Sequence, residues 1–191
     1  MSIVLIGSTS GSCTLQEQAV AGTTTLTLPT TSGTLITTAS SGQSIPRAAL
    51  PAGSVLQVVN SVFNSTFTTS STSWVDTGFT ATITPTSATS RILILFNAGG
   101  LSRPAVANEC LRLQIVRGSS TYVYGGGNVY FTTSSFDYSD WYLFLNWVDS
   151  PATASSITYK IQMQTRLGNS CSMNNSSGGQ QASIQLLEIA S

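Results

Sequence analysis

The chain has 191 residues and a formal net charge of zero, with no histidine and only 7% charged residues. A surface this neutral lacks the basic patch that a nucleic-acid partner requires. Apolar residues reach 41%, which is too high for a disordered chain, yet no apolar run is long enough to span a membrane. The abundant threonine, valine, isoleucine and aromatic residues favour β structure. We therefore expect an all-β protein whose weakly charged surface suits an assembly better than a free monomer.

The first 37 residues predict an extended arm. Residues 3–6 form a compact apolar strand, and residues 14–20 are a weaker strand candidate. Residues 19–37 contain two very short, uncharged strands separated by Pro29 and Gly33. Strands of this length cannot build a core alone, so we expect the arm to dock on another surface. The predicted docking side chains are Ile3, Leu5, Leu26, Leu28, Leu35 and Ile36.

A change in composition near residue 51 predicts a domain boundary. Residues 38–51 contain Gly42, Pro46 and Pro51, which is typical of a linker. The charged residues before position 76 are Glu17 and Arg47, and all the others follow. We therefore predict an arm and linker over residues 1–51 and a folded domain over residues 52–191.

The folded domain predicts a jelly-roll-like antiparallel β-sandwich. Apolar alternation at spacings of about ten residues, with turn signals between the segments, indicates roughly eight to ten strands. The clearest strand candidates cover residues 54–59, 80–84, 91–96, 111–117, 129–133, 141–148, 157–164 and 184–189. Residues 99–108 and 167–181 are predicted as loops, and Gly125-Gly126-Gly127 as a hairpin or loop crossing. Gln114 and Val116 are expected on the wet face of their strand.

The strand over residues 141–148 is apolar on both faces. Leu143 and Leu145 lie on one face with two tryptophans, and Tyr142, Phe144 and Val148 lie on the other. One face suits the core and the other a contact between subunits, because large aromatic side chains dominate both environments. The predicted subunit-interface residues are Trp141, Tyr142, Phe144 and Trp147.

The absence of histidine excludes Ser-His-Asp and Cys-His catalysis and every metal site that needs a histidine ligand. Asp137 and Asp140 lie next to Trp141, so a carboxylate glycosidase pair or a calcium site stays an alternative. We favour an exposed turn in which both aspartates are hydrated by solvent. We expect no enzyme activity, metal or cofactor.

Three cysteines without close spacing predict neither a disulfide framework nor a zinc motif. Cys13, Cys110 and Cys171 are expected as buried free thiols. A disulfide between Cys110 and Cys171 is the alternative.

Three tyrosines next to loops form a candidate glycan platform. Tyr122, Tyr124 and Tyr138 would offer ring faces on which the apolar faces of sugars stack, beside the amide-rich loop at 169–181. The alternative is that these aromatic rings belong to the core or to a subunit interface.

The pattern AGTTTLTLPTTSGTL at residues 21–35 resembles a segment that recurs in virion proteins of tailed phages, cyanobacterial phages among them. The stretches 53–59, 74–78, 84–87 and 90–94 resemble the β-sandwich heads of the same group of fibres, tailspikes and capsid appendages. The resemblance implies a trimeric virion surface protein and carries over no catalytic residues. A short arm with one compact head, and no repetitive shaft, fits a capsid decoration (cement) protein.

This resemblance implies a homotrimer on the virion, assembled in the host cytoplasm. Its arm would bind the major capsid protein or another virion protein by strand addition, which needs no charges. The alternative is the head of a tail fibre or tailspike that recognises a host surface glycan. Neither role involves nucleic acid or a membrane.

Overall fold

A computed structural model describes residues 3–6, 12–15, 50–119, 121–130, 138–174 and 181–191. The chain divides into two compact units, Met1–Ser44 and Ile45–Ser191, and the predicted boundary after residue 51 stays a prediction. In the first unit, β1 (Ile3–Ile6) pairs antiparallel with β2 (Ser12–Leu15). The strand predicted at 3–6 is confirmed, whereas its partner begins earlier than the predicted 14–20.

Most of the predicted docking arm falls outside the described residues. Ile3 and Leu5 belong to β1, where Ile3 lies opposite Leu15 and Leu5 opposite Cys13. Residues 19–37, with Leu26, Leu28, Leu35 and Ile36, are not among the described residues, so their docking role stays a prediction.

The described residues of the second unit contain only β-strands as regular structure, and all of their pairings are antiparallel. The strands are β3 (Val55–Phe63), β4 (Phe67–Thr69), β5 (Val75–Ile83), β6 (Arg91–Arg103), β7 (Cys110–Arg117), β8 (Thr121–Tyr130), β9 (Tyr138–Asp149), β10 (Ile157–Thr165), β11 (Cys171–Met173) and β12 (Ala182–Ile189).

The long strands form two sheets in jelly-roll order. The first sheet runs β3-β12-β6-β9 and the second runs β5-β10-β7-β8. The short strands β4 and β11 extend the first sheet beside the end of β6. The chain crosses repeatedly between the sheets, and its last strand, β12, lies between β3 and β6. The predicted all-β, jelly-roll-like sandwich is confirmed.

The core lies between the two sheets and is built from alternate residues of each strand, because successive side chains point to opposite faces. Large side chains with almost no exposed surface are Ile92, Ile94, Phe96, Leu111, Leu113, Ile115, Tyr159, Ile161, Met163, Ile184 and Leu186. Gln114 and Val116 were predicted on a wet face, yet both are buried. Strand β7 is flanked by β10 and β8, and Gln114 Nε2 donates to Gln162 Oε1 at 2.7 Å.

The glycine triplet lies inside strand β8, which corrects the predicted hairpin or loop crossing. Leu113 is opposite Gly127 and Gln114 is opposite Gly125, so Gly126 is the extra residue of a β-bulge. Another register shift occurs between β5 and β10 near Gly78, whose φ of 83° suits glycine and strains other residues.

Two predicted loops and one predicted turn also contain strand. Strand β6 continues through residues 99–103, because Ser102 pairs with Ser172 and Arg103 pairs with Tyr138. Strand β11 lies within the predicted loop at 167–181 and pairs with β4. Residues 138–140 begin β9, so the turn expected at 137–140 is wrong at those three positions. Asp137 lies outside the described residues.

The two described cysteines of the sandwich are free and buried, which agrees with the favoured prediction for Cys110 and Cys171. Burial raises the pKa of both thiols, and it raises that of Cys171 to about 12. Neither thiol is therefore poised for reaction near neutral pH.

Two fully buried glutamates fasten loops at opposite ends of the sandwich. We call the end of the sandwich where Gly53 N donates to Ala190 O the terminal end. There, Glu188 Oε1 accepts hydrogen bonds from Thr86 N at 2.7 Å and from Thr86 Oγ1 at 2.6 Å. At the other end, the far end, Glu109 accepts from the backbone N–H groups of Cys110, Arg166, Leu167 and Asn169 at 2.8–3.1 Å. Each buried charge is thus paired with several donors.

The hydrogen bonds decide the ionisation of both glutamates. Burial alone would raise the pKa of Glu109, but the bonds from Asn169, Cys110 and Leu167 outweigh it and hold the pKa below its ordinary value. The pKa of Glu188 is lowered in the same way, against burial, by bonds from Thr86 and Gln57.

A third carboxylate joins the two sheets at the terminal end. Asp149 of β9 accepts from Arg117 Nη1 of β7 at 2.7 Å and from the Tyr159 hydroxyl of β10 at 2.7 Å. Burial and the bond to Asp149 raise the pKa of Tyr159 far above its ordinary value.

Replacing Glu109 by glutamine should destabilise the fold, because the amide would turn an N–H toward backbone N–H donors. We expect the free energy of unfolding near neutral pH to fall by about 1–3 kcal/mol. The stabilisation from Glu109 and Glu188 is present above their ordinary pKa of 4.5 and is lost as pH falls through their lowered folded pKa values. Urea unfolding across acidic pH should therefore give a shallower loss for Glu109→Gln than for the native chain.

Asp76→Asn is the control, because Asp76 is likewise a carboxylate that accepts hydrogen bonds, two from side chains, but it is exposed. This change should cost less than about 1 kcal/mol. Equal losses in the two variants would contradict the role assigned to Glu109.

Candidate functional site

The outer face of the first sheet, the face turned away from the core, carries three rows of side chains. Each row crosses β3, β12, β6 and β9 in register, and opposite residues in antiparallel strands share a face. The first row is Val58, Leu187, Leu93 and Val148. The second row is Asn60, Gln185, Leu95 and Asn146. The third row is Val62, Ser183, Asn97 and Phe144.

These rows contain no charged residue, and the first is apolar across all four strands. Leu93, Leu95 and Leu187 are half-buried at the centre of the face. The second row places amide side chains around Leu95, and an amide both donates and accepts hydrogen bonds. Arg91, at the start of β6 and opposite Ile189, is the nearest charge along β6. The face is thus apolar with neutral polar groups.

The most exposed apolar side chains of the face lie on its two edge strands. Strand β3 carries the valine strip, which we define as Val55, Val58 and Val62. Strand β9 carries the aromatic strip, which we define as Tyr142, Phe144 and Val148 on the outer face together with Trp147, which alternates toward the core side but is exposed at the edge of the sheet. Val58 is 60% exposed and Phe144 is 62% exposed. Side chains this open on a folded sheet are candidates for a contact with another molecule.

The surface of the aromatic strip is uneven. The rings of Tyr142 and Phe144 stack with centroids 6.5 Å apart and planes inclined by 10°. Trp147 lies opposite the buried Ile94, yet it is 45% exposed because β9 forms the edge of the sheet. Trp147, Val148, Leu93 and Asn146 line a shallow cavity of about 410 Å³. The strip therefore combines protruding rings with an adjacent apolar hollow.

The outer face of the second sheet has the opposite character. Asp76 of β5 accepts from Lys160 Nζ at 2.9 Å and from Gln162 Nε2 at 2.7 Å, and Thr82 bonds to Thr158 at 2.8 Å. Hydrogen bonds from Gln162 and then Lys160 lower the pKa of Asp76. The polar side chains described here on β5 and β10 are thus paired with one another, whereas the described face of the first sheet is largely apolar.

The predicted interface residues of β9 divide between described and undescribed side chains. Tyr142 and Phe144 lie on the outer face, and Leu145 on the opposite face is buried, as the alternation predicts. Trp147 is more exposed than a core residue would be. Only the backbone of Trp141 is described, opposite Leu101. Participation of all four in a subunit interface stays a prediction.

The tyrosines of the predicted glycan platform are described only as backbone. Tyr122 lies opposite Val116 near the terminal end of β8, and Tyr124 lies opposite Ile115. Tyr138 begins β9 at the far end, opposite Arg103. Tyr138 is separated from the terminal end of β9 by about 35 Å of strand, so the three positions belong to two sheets and two ends. The platform stays a prediction.

The buried carboxylates of the described residues have structural partners. Glu109 and Glu188 are fully buried and hold loops, and Asp149 holds Arg117 and Tyr159. Asp140 is described only as part of β9. No cluster of three His, Cys, Asp or Glu residues suited to a metal ion occurs within the described residues. Among those same residues, no helix is long and apolar enough to cross a membrane.

The valine strip and the central leucines were missed in the sequence. Val58, Leu93 and Leu187 occupy apolar segments that suit a core, and which face they occupy depends on non-local pairing. The sequence did contain one signal for an apolar outer face. Residues 91–96 are apolar on both faces of their strand, and so are residues 141–148.

Comparison with known proteins leaves the outer face as the main guide to function: no protein-family model matches the chain, and neither does any curated protein.

Proposed function

We propose that this chain is a non-enzymatic virion protein, a homotrimeric capsid decoration (cement) protein that binds and reinforces the outer surface of a phage capsid. The observation that carries the proposal is the largely apolar outer face of β3, β12, β6 and β9, whose three central rows of side chains contain no charge. A face of this kind on a folded sandwich is typical of a surface that another protein covers.

The size of the face supports a contact shared with other segments. At about 4.8 Å between strands and about 3.3 Å per residue, the area from β3 to β9 and from Tyr142 to Val148 is on the order of 400 Å². The largest patches on monomers, which are often functional, cover about 300–600 Å². A stable interface needs about 800 Å² from each partner. The face supplies roughly half of that, so further segments would have to contribute the rest.

The arm supports attachment to the capsid. Residues 18–46 contain no charge, so any contact they make relies on backbone pairing and apolar burial. Strand addition to a major capsid protein or another virion protein uses these two interactions. The likeness of residues 21–35 to tailed-phage virion proteins adds the context of a particle surface.

A receptor-binding head is the second candidate, because the first and last described residues of the sandwich lie together. Gly53 N donates to Ala190 O at 2.8 Å, so the described sandwich begins and ends at the terminal end, and the far end is the end distant from both. Two amides expected to serve a glycan are engaged internally. Asn169 Nδ2 donates to Glu109 and Asn174 Nδ2 donates to Phe63 O. We therefore place this candidate second.

Introducing a charge into the face should dissociate the proposed trimer. Light scattering of the native chain should give three times the monomer mass of 20.0 kDa, with no change at high salt, because screening acts on charges. In Phe144→Arg, an unpaired charge in the contact should cost at least about 3 kcal/mol, or more than a hundredfold in the dissociation constant.

Leu167→Arg is the matched control. Leu167 is 50% exposed but lies between β10 and β11, away from the outer face. A monomeric native chain, or equal dissociation of the two variants, would contradict the proposal.

Removal of residues 1–37 should abolish binding to capsids. Co-sedimentation with particles that lack the protein should show saturable binding of the full chain and none of the truncated chain. Circular dichroism would establish that the truncated chain keeps its β structure. Undiminished capsid occupancy by the truncated chain would contradict a docking role for the arm.

A further inference from the structure

The two exposed strips of the outer face lie on opposite edges of one sheet. The valine strip is on β3, which pairs with β12, and the aromatic strip is on β9, which pairs with β6. Three strand spacings, about 14 Å in all, separate them. Between them lie the half-buried side chains of Leu187 and Leu93. The face therefore has two adhesive edges of different shape.

The symmetry of an assembly of identical copies determines which edges of the face meet. Two copies related by a two-fold axis would stack their faces directly, so that residues near the axis meet their own equivalents. Three faces turned toward one axis form the sides of a prism, and each touches its neighbours along its two edges. In that arrangement β9 of one copy lies beside β3 of the next.

The shapes of the two strips fit the three-fold arrangement. The aromatic strip has protruding rings and the hollow lined by Leu93, Trp147 and Val148. The valine strip is made of short side chains, and Val58 lies in the same row as Val148. A neighbouring Val58 therefore reaches the level of the hollow. Because neither strip carries charge, identical copies meet there without repulsion.

We propose that the aromatic strip of one copy packs on the valine strip of the next copy around a three-fold axis, with Val58 seated in the hollow beside Trp147. This inference rests on the proposed homotrimer and specifies its contact. The occupant of each strip is thus a second copy of this chain, bound head to tail in a closed ring.

Paired cysteines test this contact in the full chain. Val62 and Phe144 lie in one row at opposite edges of the face, so the two positions on neighbouring copies come together in the ring. The experiment uses Val62→Cys with Phe144→Cys and a short bismaleimide, in a Cys13→Ser background. Cys110 and Cys171 are buried and do not compete. Melting curves would verify that each variant is folded.

The double variant should yield a covalent trimer on a denaturing gel, and each single variant should lose this product. Covalent dimers from either single variant would overturn the inference in favour of stacked faces. So would a double variant that stays uncrosslinked while light scattering still reports a trimer. A monomeric native chain would instead remove the homotrimer itself, so the two failures are distinguishable.

Mixing two charged variants gives a second measurement that needs no cross-linking. Val58→Arg keeps the aromatic strip intact, and Phe144→Arg keeps the valine strip intact. In a head-to-tail contact the mixture regains one good interface, and analytical ultracentrifugation should show heterodimers although each variant alone is monomeric. If the mixture stays monomeric, the head-to-tail contact is wrong.

Discussion

The register between β12, β6 and β9 is the constraint on which the outer face depends. Leu93 lies opposite both Leu187 and Val148, so these side chains share a face whatever their rotamers. A shift of one residue would turn Ile94 and Trp147 outward and move the leucines into the core. The packed interior of Ile92, Ile94 and Phe96 therefore fixes the apolar row on the outside. The core and the outer face are therefore formed by alternate residues of the same strands.

Three carboxylates of the described sandwich serve internal tasks. Glu188 and Glu109 hold loops at the two ends, and Asp149 joins the sheets through Arg117 and Tyr159. Because these carboxylates are committed inside the fold, contacts on the outer face depend on apolar burial and amide hydrogen bonds. The apolar burial in such contacts is non-directional, and because no charges take part, the contacts are insensitive to salt. This fits a protein that stays in place on a particle.

Local pattern could predict the sandwich and one half of the candidate site. Alternation along 141–148 placed Tyr142 and Phe144 opposite the buried Leu145, and the structure agrees. The valine strip could not be predicted, because β3 joins the face only through β12 at the other end of the chain. The same reason hid β11, whose partners in β4 and β6 lie far away in sequence. Glycines at 125–127 look like a turn locally, and only the pairing with β7 shows the bulge.

The central claim is that the outer face is covered in the assembled protein. Hydroxyl-radical footprinting of the native full chain tests it with internal controls, since Trp74 and Leu167 are exposed in the single chain much as Trp147 and Phe144 are. The account predicts weak labelling of Tyr142, Phe144 and Trp147 beside strong labelling of Trp74 and Leu167. Labelling of all five in proportion to their exposure in the single chain would contradict it.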